Sequence, residues 1–186
     1  MVMENKKNTR REFIKRVGAG SALAAISTHA AFPAFSVKKP KKTADVALNL
    51  GLQEGVTPGK TLNEKLDFLE ANEVYGLEVG GGKLASRVTE IQNALQNRKV
   101  KISAICAGFS GWLIATDENE RKKCIDTSKV ILEAAGALGS YGMILVPGFN
   151  NQQPSFPFVE ARAILIDQLK ELGEFAVKNK TTIILE

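Results

Sequence analysis

A glutamate stands at the end of the most strand-like run in the sequence. Residues 181–186 read Thr-Thr-Ile-Ile-Leu-Glu, a β-branched and apolar segment that ends on the carboxylate of Glu186. Because side chains alternate along a strand, Glu186 and Ile184 point to the same face. In parallel βα barrels, chemistry takes place at the carboxyl ends of the strands. Glu186 is therefore predicted to bind a metal or to move a proton, and a plain surface carboxylate is the alternative.

A second carboxylate lies inside another apolar run. Glu78 stands between Leu77 and Val79, so its side chain faces away from theirs. An inward-facing carboxylate is costly to bury unless a metal, a cation or a shared proton compensates its charge. We therefore predict that Glu78 contributes to substrate binding. A structural carboxylate paired with a lysine or a backbone amide is the alternative.

Three further segments carry groups that could bind a sugar or an anion. Trp112 can stack on a sugar ring or pack across a barrel mouth, and Asn150 can hydrogen-bond hydroxyls or lie in a solvated loop. Residues 80–83, Gly-Gly-Gly-Lys, resemble an anion nest. They do not have the spacing of a P-loop, which favours an ordinary flexible loop.

The sequence excludes several other kinds of site. The single histidine, His29, lies near the amino terminus, so residues 37–186 contain no imidazole for catalysis or ligation. Cys106 and Cys124 have no metal-site spacing. Residues 1–43 hold 10 Lys and Arg and 2 Asp and Glu, which leaves 15 and 18 for the remainder. Because the remainder is net acidic, the basic pI is no evidence for a nucleic-acid partner.

The remaining sequence supplies elements that would position these residues. Apolar runs at 45–50, 75–79, 100–107, 142–146 and 181–186 predict five strands, and the amphipathic stretches between them predict four helices. Thr61 and Glu64 have capping-box spacing. Asp117 precedes a first turn rich in acids, and Pro157 opens the last helix, whose apolar stripe is predicted to begin at Val159.

These elements predict an α/β fold. Every interval between strands exceeds the dozen or so residues that a parallel crossover needs, so the five strands should be parallel. We expect a (β/α) barrel of TIM type, truncated after about five strands, because a whole barrel needs roughly 250 residues and this chain has 186. A doubly wound sheet, in which the strand order reverses, is the alternative.

The amino-terminal segment has the order of an export signal. Residues 9–15, Thr-Arg-Arg-Glu-Phe-Ile-Lys, resemble the twin-arginine motif, and a short Gly/Ala-rich apolar stretch and small residues follow it. We predict a twin-arginine signal peptide over 1–36, a basic linker over 37–43 and the partial barrel over 44–186. The apolar stretch is too short to span a bilayer. We therefore expect export to the periplasm and no stable membrane span after signal removal.

Four spaced motifs resemble one known family. They are GLEVGGG at 76–82, TDENERKKCIDTSKVILEAAGALGS at 116–140, MILVPG at 143–148 and the terminal IILE. Together they are similar to the xylose isomerase-like TIM barrels, the sugar phosphate isomerase/epimerase family. The likeness covers about residues 45–186.

The resemblance implies a metal-dependent reaction. In that family, the glutamate that closes strand five, here Glu186, is the first ligand of a divalent metal, which would be Mn²⁺ or Mg²⁺, with Zn²⁺ as a further option. In the ketose epimerases it is also one of two carboxylates that move a proton beside the sugar carbonyl. The other ligands, an Asp, a His and a second Glu, come from strands six to eight. We therefore expect the chain as given to be an inactive amino-terminal fragment.

The leading hypothesis is thus a sugar or cyclitol isomerase or epimerase that acts by proton transfer next to a carbonyl. Export favours free sugars over sugar phosphates as the small-molecule partner. The related barrel nucleases use several histidines, which argues against a nucleic-acid substrate. An exported, non-catalytic carbohydrate-binding barrel and a doubly wound periplasmic solute-binding domain are the alternatives. The oligomeric state stays open.

Overall fold

The structure is a computed structural model that describes residues 49–148 and 156–186. The predicted signal peptide, the linker and the candidate residue Asn150 lie outside the described residues.

In the described residues, five strands alternate with four helices. In chain order they are β1 (Gly51–Gln53), α1 (Leu62–Ala71), β2 (Gly76–Gly80), α2 (Leu84–Ala94), β3 (Lys101–Cys106), α3 (Glu118–Ala137), β4 (Gly142–Leu145), α4 (Phe158–Lys178) and β5 (Thr182–Leu185).

The strands form one parallel sheet in sequential order, β1-β2-β3-β4-β5. Each strand is hydrogen-bonded to the next one along the chain, and every crossover proceeds in the same direction. A doubly wound sheet would reverse its strand order at a switch point. The observed order is instead that of a parallel βα barrel, which confirms the predicted fold class.

One face of the sheet packs against the helices. Leu77, Val79, Ile105, Met143 and Leu145 are fully buried on this face. They form one hydrophobic cluster with helix side chains such as Leu66, Leu69, Ile91, Leu132 and Leu172. Burying a side chain of this size contributes roughly 1.5–3 kcal/mol relative to leaving it exposed. The cluster therefore fixes the strands, and with them the direction of every side chain on the opposite face.

The predicted helix starts are confirmed. The hydroxyl of Thr61 accepts a hydrogen bond from the Glu64 amide at 3.2 Å, and the Glu64 carboxylate accepts one in return from the Thr61 amide. The carboxylate of Asp117 accepts from the Asn119 amide at 2.8 Å. Both caps satisfy amides that have no partner within the helix.

Two details of the prediction are wrong. The sequence predicts the first strand over 45–50, but β1 lies at Gly51–Gln53, within the predicted glycine loop. Gly51 pairs with Gly76, and a Cβ on Gly51 would lie 3.4 Å from the Gly76 carbonyl oxygen. The stripe of α4 is also shifted, because Val159 is 78% exposed and Ala161 is buried in its place.

None of the helices in the described part of the chain combines the length and the apolar character that a membrane-spanning helix needs.

Candidate active site

The candidate site is the carboxyl edge of the sheet, on the face away from the helices. Register pairs place Cys106 beside Ile144 and Ile144 beside Ile184. These residues alternate with the fully buried ones, so they line the inner face of the barrel wall. Their side chains are only partly buried. The inner face is therefore the candidate site, and the outer face packs against the hydrophobic core.

Glu186 lies at this edge, directly after β5. Its amide donates to the Leu145 carbonyl oxygen at 3.2 Å, which continues the parallel pairing by one residue. Because side chains alternate along a strand, the Glu186 side chain lies on the inner face, as the Ile184 side chain does. The residue is exposed. The predicted location is therefore found, while its metal-binding and catalytic roles stay predictions.

Glu78 faces the same side from β2. The Gln53 side-chain amide donates to Glu78 Oε1 at 2.7 Å. A register shift between Leu77 and Glu78 brings Glu78 opposite Ala104 of β3, and such irregularities often re-aim side chains next to active sites. The Glu78 carboxylate is thus held by an amide, and its predicted role in substrate binding stays a prediction.

The backbone around Gln53 is firmly anchored. Its carbonyl oxygen accepts from the amides of Val56 at 3.1 Å and Thr57 at 3.0 Å, and from the Thr57 hydroxyl at 2.7 Å. The next amide, of Glu54, donates to the Glu78 carbonyl oxygen at 2.8 Å. Because both ends of its peptide are fixed, the Gln53 side chain leaves the strand in a defined direction.

Cys106 lies between the two carboxylates at the end of β3. Partial burial raises the pKa of its thiol, and the negative charge of Glu78, which also hydrogen-bonds the thiol, raises it further, as does that of Glu186. The fields of both carboxylates therefore converge on Cys106. The thiol stays protonated and neutral at physiological pH, which is unfavourable for a nucleophile.

An ion pair anchors the loop that follows β1. The Arg87 guanidinium donates to both oxygens of Glu54, at 2.7 and 2.9 Å. This two-point contact lowers the pKa of the Glu54 carboxyl and raises that of Arg87. Lys65 Nζ donates to the Glu54 carbonyl oxygen at 2.7 Å. The loop is thus tied to both α1 and α2.

In the loop at 80–83, Gly81 is packed closely against the loop that follows β3, while Gly80 and Gly82 have open space where a Cβ would lie. The Gly81 amide donates to the Cys106 carbonyl oxygen at 3.0 Å. A Cβ on Gly81 would lie 1.9 Å from the Ala107 carbonyl oxygen, and one on Gly108 would lie 2.2 Å from the Gly82 nitrogen. Gly108 also has φ +94°. These glycines allow two neighbouring loops to touch backbone to backbone.

Trp112 lies at the same rim, further along the sheet. It is half-buried, and a Cβ on Gly148 would lie 3.5 Å from its Cε3 atom. Trp112 therefore packs beside the end of β4, a position that suits both a stacking platform and a rim contact. Arg121 donates to the carbonyl oxygens of Ala115 and Thr116, at 2.7 and 3.0 Å, and so closes the loop that carries the tryptophan.

The donors at this edge match a hard divalent cation in type but not in number. Glu186 offers carboxylate oxygens, which Mn²⁺ and Mg²⁺ prefer. Within residues 49–148 and 156–186, no group of three or more His, Cys, Asp or Glu is arranged to hold a metal. Glu186 therefore stays a predicted metal ligand, and the identity of its partner ligands stays a prediction.

Sequence reasoning missed two residues of this edge, Gln53 and Cys106. The sequence pattern predicts a loop at Gln53, because Gly51 resembles the end of a strand. The apolar alternation at Leu48, Leu50 and Leu52 was the available signal, since it continues through Gly51 and places Gln53 on the opposite face. Cys106 was considered only as a metal ligand or a buried thiol, although it ends β3.

A model of the xylose isomerase-like TIM barrel family matches residues 65–186. The chain therefore belongs to the xylose isomerase-like TIM barrel family.

Individual relatives are more distant. The 3-dehydro-D-guloside 4-epimerase of Escherichia coli K12 is 24% identical over 147 residues, which are 75% of this chain and 56% of that protein. The apo structure of the 3-keto-D-glucoside 4-epimerase YcjR from E. coli has a TM-score of 0.67 at 20% identity and the same coverage. The IolI protein with a bound zinc atom has a TM-score of 0.62 at 21% identity, over 74% of this chain and 51% of that one. The chain thus spans little more than half the length of these relatives.

Proposed function

We propose that the protein is a metal-dependent isomerase or epimerase of a sugar or cyclitol, which acts by proton transfer next to a carbonyl. One observation carries the proposal: the carboxylate of Glu186 ends a barrel strand on the inner face, on the side of the sheet where Glu78 lies. Family membership and the epimerase activity named for the E. coli relative support it. The activity belongs to the complete protein, with further barrel strands beyond β5.

In this proposal, Glu186 binds the metal and takes part in moving the proton. A divalent metal, Mn²⁺ or Mg²⁺ with Zn²⁺ as a further option, would polarise the oxygens of the substrate when bound. The zinc atom in the IolI structure supports a divalent ion in this fold. Glu186 can transfer a proton because its carboxylate is accessible at the rim and is oriented by the strand. A second carboxylate from beyond β5 would complete the transfer.

The substrate would lie along the inner rim. Glu78, held by Gln53, would accept a hydrogen bond from a substrate hydroxyl. Trp112 would offer an apolar face to a sugar ring. Asn150, which lies outside the described residues, would donate and accept hydrogen bonds.

Solvent hydrogen exchange tests this function. The complete gene product, loaded with Mn²⁺, is incubated in D₂O with D-fructose, D-psicose or D-tagatose, and the proton next to the carbonyl is followed by NMR. We expect metal-dependent loss of this signal, abolished by EDTA. Saturable binding without exchange would favour the non-catalytic carbohydrate-binding barrel. The absence of both from a folded, metal-loaded protein would refute the proposal.

We also propose export by the twin-arginine route, on the basis of Arg10 and Arg11 and the apolar stretch behind them. Cell fractionation of the native organism should find the protein in the periplasm. Replacing both arginines with lysine should retain it in the cytoplasm. Equal periplasmic amounts of the two forms would contradict the proposal.

A further inference from the structure

A second polar site lies on the inner face, at the ends of the first three strands. A cavity of about 380 Å³ opens there, within the size range of small-molecule sites. Its polar side chains include Gln53, Lys65, Glu78 and Cys106, which come from β1, α1, β2 and β3. Glu186 is not among its lining residues. The cavity is therefore a neighbour of the proposed reaction centre and not the centre itself.

The hydrogen-bonding groups of this cavity match hydroxyls. Within the described residues, the Gln53 amide gives one hydrogen to Glu78 Oε1. It keeps a second N–H and its carbonyl oxygen for a ligand. Glu78 also accepts from the Cys106 thiol, and because a carboxylate has about four acceptor sites it can still accept from a ligand hydroxyl. A hydroxyl can both donate and accept, so two neighbouring hydroxyls can use this carboxylate and this amide together. The bond between Gln53 and Glu78 orients both groups before a ligand arrives.

The charges around the cavity favour a neutral ligand. The carboxylate of Glu54 is neutralised by the two-point contact with Arg87. The remaining charges of the lining, those of Lys65 and Glu78, are opposite in sign and equal in size. A phosphate group would bring about two negative charges next to the carboxylate of Glu78. In the nearby glycine loop, the Gly81 amide already donates to the Cys106 carbonyl oxygen and does not compensate that charge.

The position of the cavity sets which part of a ligand it would hold. Neighbouring strands lie about 4.8 Å apart, so β2, which carries Glu78, and β5 are separated by about 14 Å along the sheet. Their side chains on the inner face point toward each other across the barrel, which shortens this span. A sugar whose carbonyl region lies at Glu186 would therefore extend toward the first strands with its far hydroxyls. Those hydroxyls would meet Glu78 and Gln53.

We propose that Gln53 and Glu78 form a hydroxyl-binding subsite that holds the end of the sugar remote from the reacting carbon and selects an unphosphorylated sugar over its phosphate ester. This inference rests on the proposed function for the placement of the reacting carbon. The subsite itself is defined by the cavity, the hydrogen bond and the charge balance.

Equilibrium binding to the complete, Mn²⁺-loaded protein tests the subsite. The probes are D-fructose, D-psicose and D-tagatose, each compared with its 6-deoxy and its 6-phosphate form by calorimetry. For the ketose that binds best, we expect the parent sugar to bind at least about tenfold more tightly than either derivative, because a site built for a hydroxyl rejects a ligand without it. Glu78→Gln should bring the affinity of the phosphate ester closer to that of the parent.

Gln53→Met removes the amide at similar size, and it should reduce the preference over the 6-deoxy sugar to about twofold or less. Gln92→Met is the matched control, since Gln92 donates to the Ala137 carbonyl oxygen on the outer side and should keep the full preference. Should Gln53→Met fail to fold, as judged by thermal melting, Gln53→Asn replaces it and is expected to weaken the preference in the same direction.

Three results would overturn the subsite: a phosphate ester that binds as tightly as its parent, an unchanged preference in the Gln53 variant, or no binding of any probe. Binding and exchange are separate measurements, so the two proposals can fail separately. Hydroxyl selection without hydrogen exchange would refute the proposed function and keep the subsite. Hydrogen exchange without hydroxyl selection would refute the subsite and keep the proposed function.

Discussion

Replacing Gly81 with alanine should damage the rim of the barrel through a single methyl group. At this position the Cβ would lie 1.9 Å from the Ala107 carbonyl oxygen and 3.2 Å from Ile131 Cδ1. The first contact is more than 1 Å too short, and it is made to backbone, which cannot rotate away. The loop after β3 must therefore move, together with the hydrogen bond from the Gly81 amide to Cys106.

The expected cost follows from this geometry. Overpacking of a closely packed region typically costs 1–3 kcal/mol and occasionally more. The loss of a well-placed hydrogen bond adds about 1 kcal/mol. We expect a total of about 2–4 kcal/mol, which corresponds to a decrease in Tm of roughly 4–16 °C for a protein of this size.

The neighbouring glycine provides the control. A Cβ on Gly82 would meet nothing within 4 Å, so Gly82→Ala should leave the stability unchanged or raise it by up to about 1 kcal/mol. The assay is thermal unfolding of the complete protein, followed by circular dichroism, for the wild type and both variants. If Gly81→Ala melts within error of Gly82→Ala, the two loops are not packed as described and the reasoning fails.

Two further predictions concern titratable groups. The contact with Arg87 lowers the pKa of Glu54 from its ordinary value of 4.5. The ion pair therefore contributes its full stabilisation above pH 4.5, and this stabilisation is lost as the pH falls through the lowered pKa of Glu54. Glu54→Gln should therefore cost about 1–2 kcal/mol at pH 7, and urea titrations should show this difference shrinking below about pH 4; a constant difference would contradict it. Burial raises the pKa of Cys124 to about 11 and leaves its side chain inaccessible. In the native protein, iodoacetamide at pH 8 should therefore modify Cys106 much faster than Cys124, which peptide mass spectrometry would measure; preferential labelling of Cys124 would contradict the described core.

Much of the fold could be predicted because its signals are local. The capping box at Thr61 and the acidic first turn after Asp117 mark helix starts through contacts between residues close in sequence. The regular alternation of strands and helices then restricts the sheet to parallel pairing. The choice between a barrel and a doubly wound sheet depends on strand order, which no local pattern encodes.

The errors have a common physical cause. Gly51 was interpreted as a breaker, although it is part of a strand that lies close to the backbone at Gly76. The sequence predicts a flexible loop at Gly81, although this glycine is needed for a contact between loops. In both cases the glycine lies close to a backbone segment that is distant in sequence. The hydrogen bond between Gln53 and Glu78 also joins residues 25 positions apart, so no local pattern predicts it.

The proposed function depends most on Glu186 as a ligand of a divalent metal at the mouth of the barrel. The most direct test is the Mn²⁺ affinity of the complete protein, measured by calorimetry for the wild type, for Glu186→Gln and for Glu174→Gln, which changes an exposed glutamate on α4. We expect Glu186→Gln to lose at least about tenfold in affinity, because the amide cannot replace the charge of a carboxylate ligand, and Glu174→Gln to bind like the wild type. Wild-type Mn²⁺ affinity in the Glu186→Gln variant would contradict it.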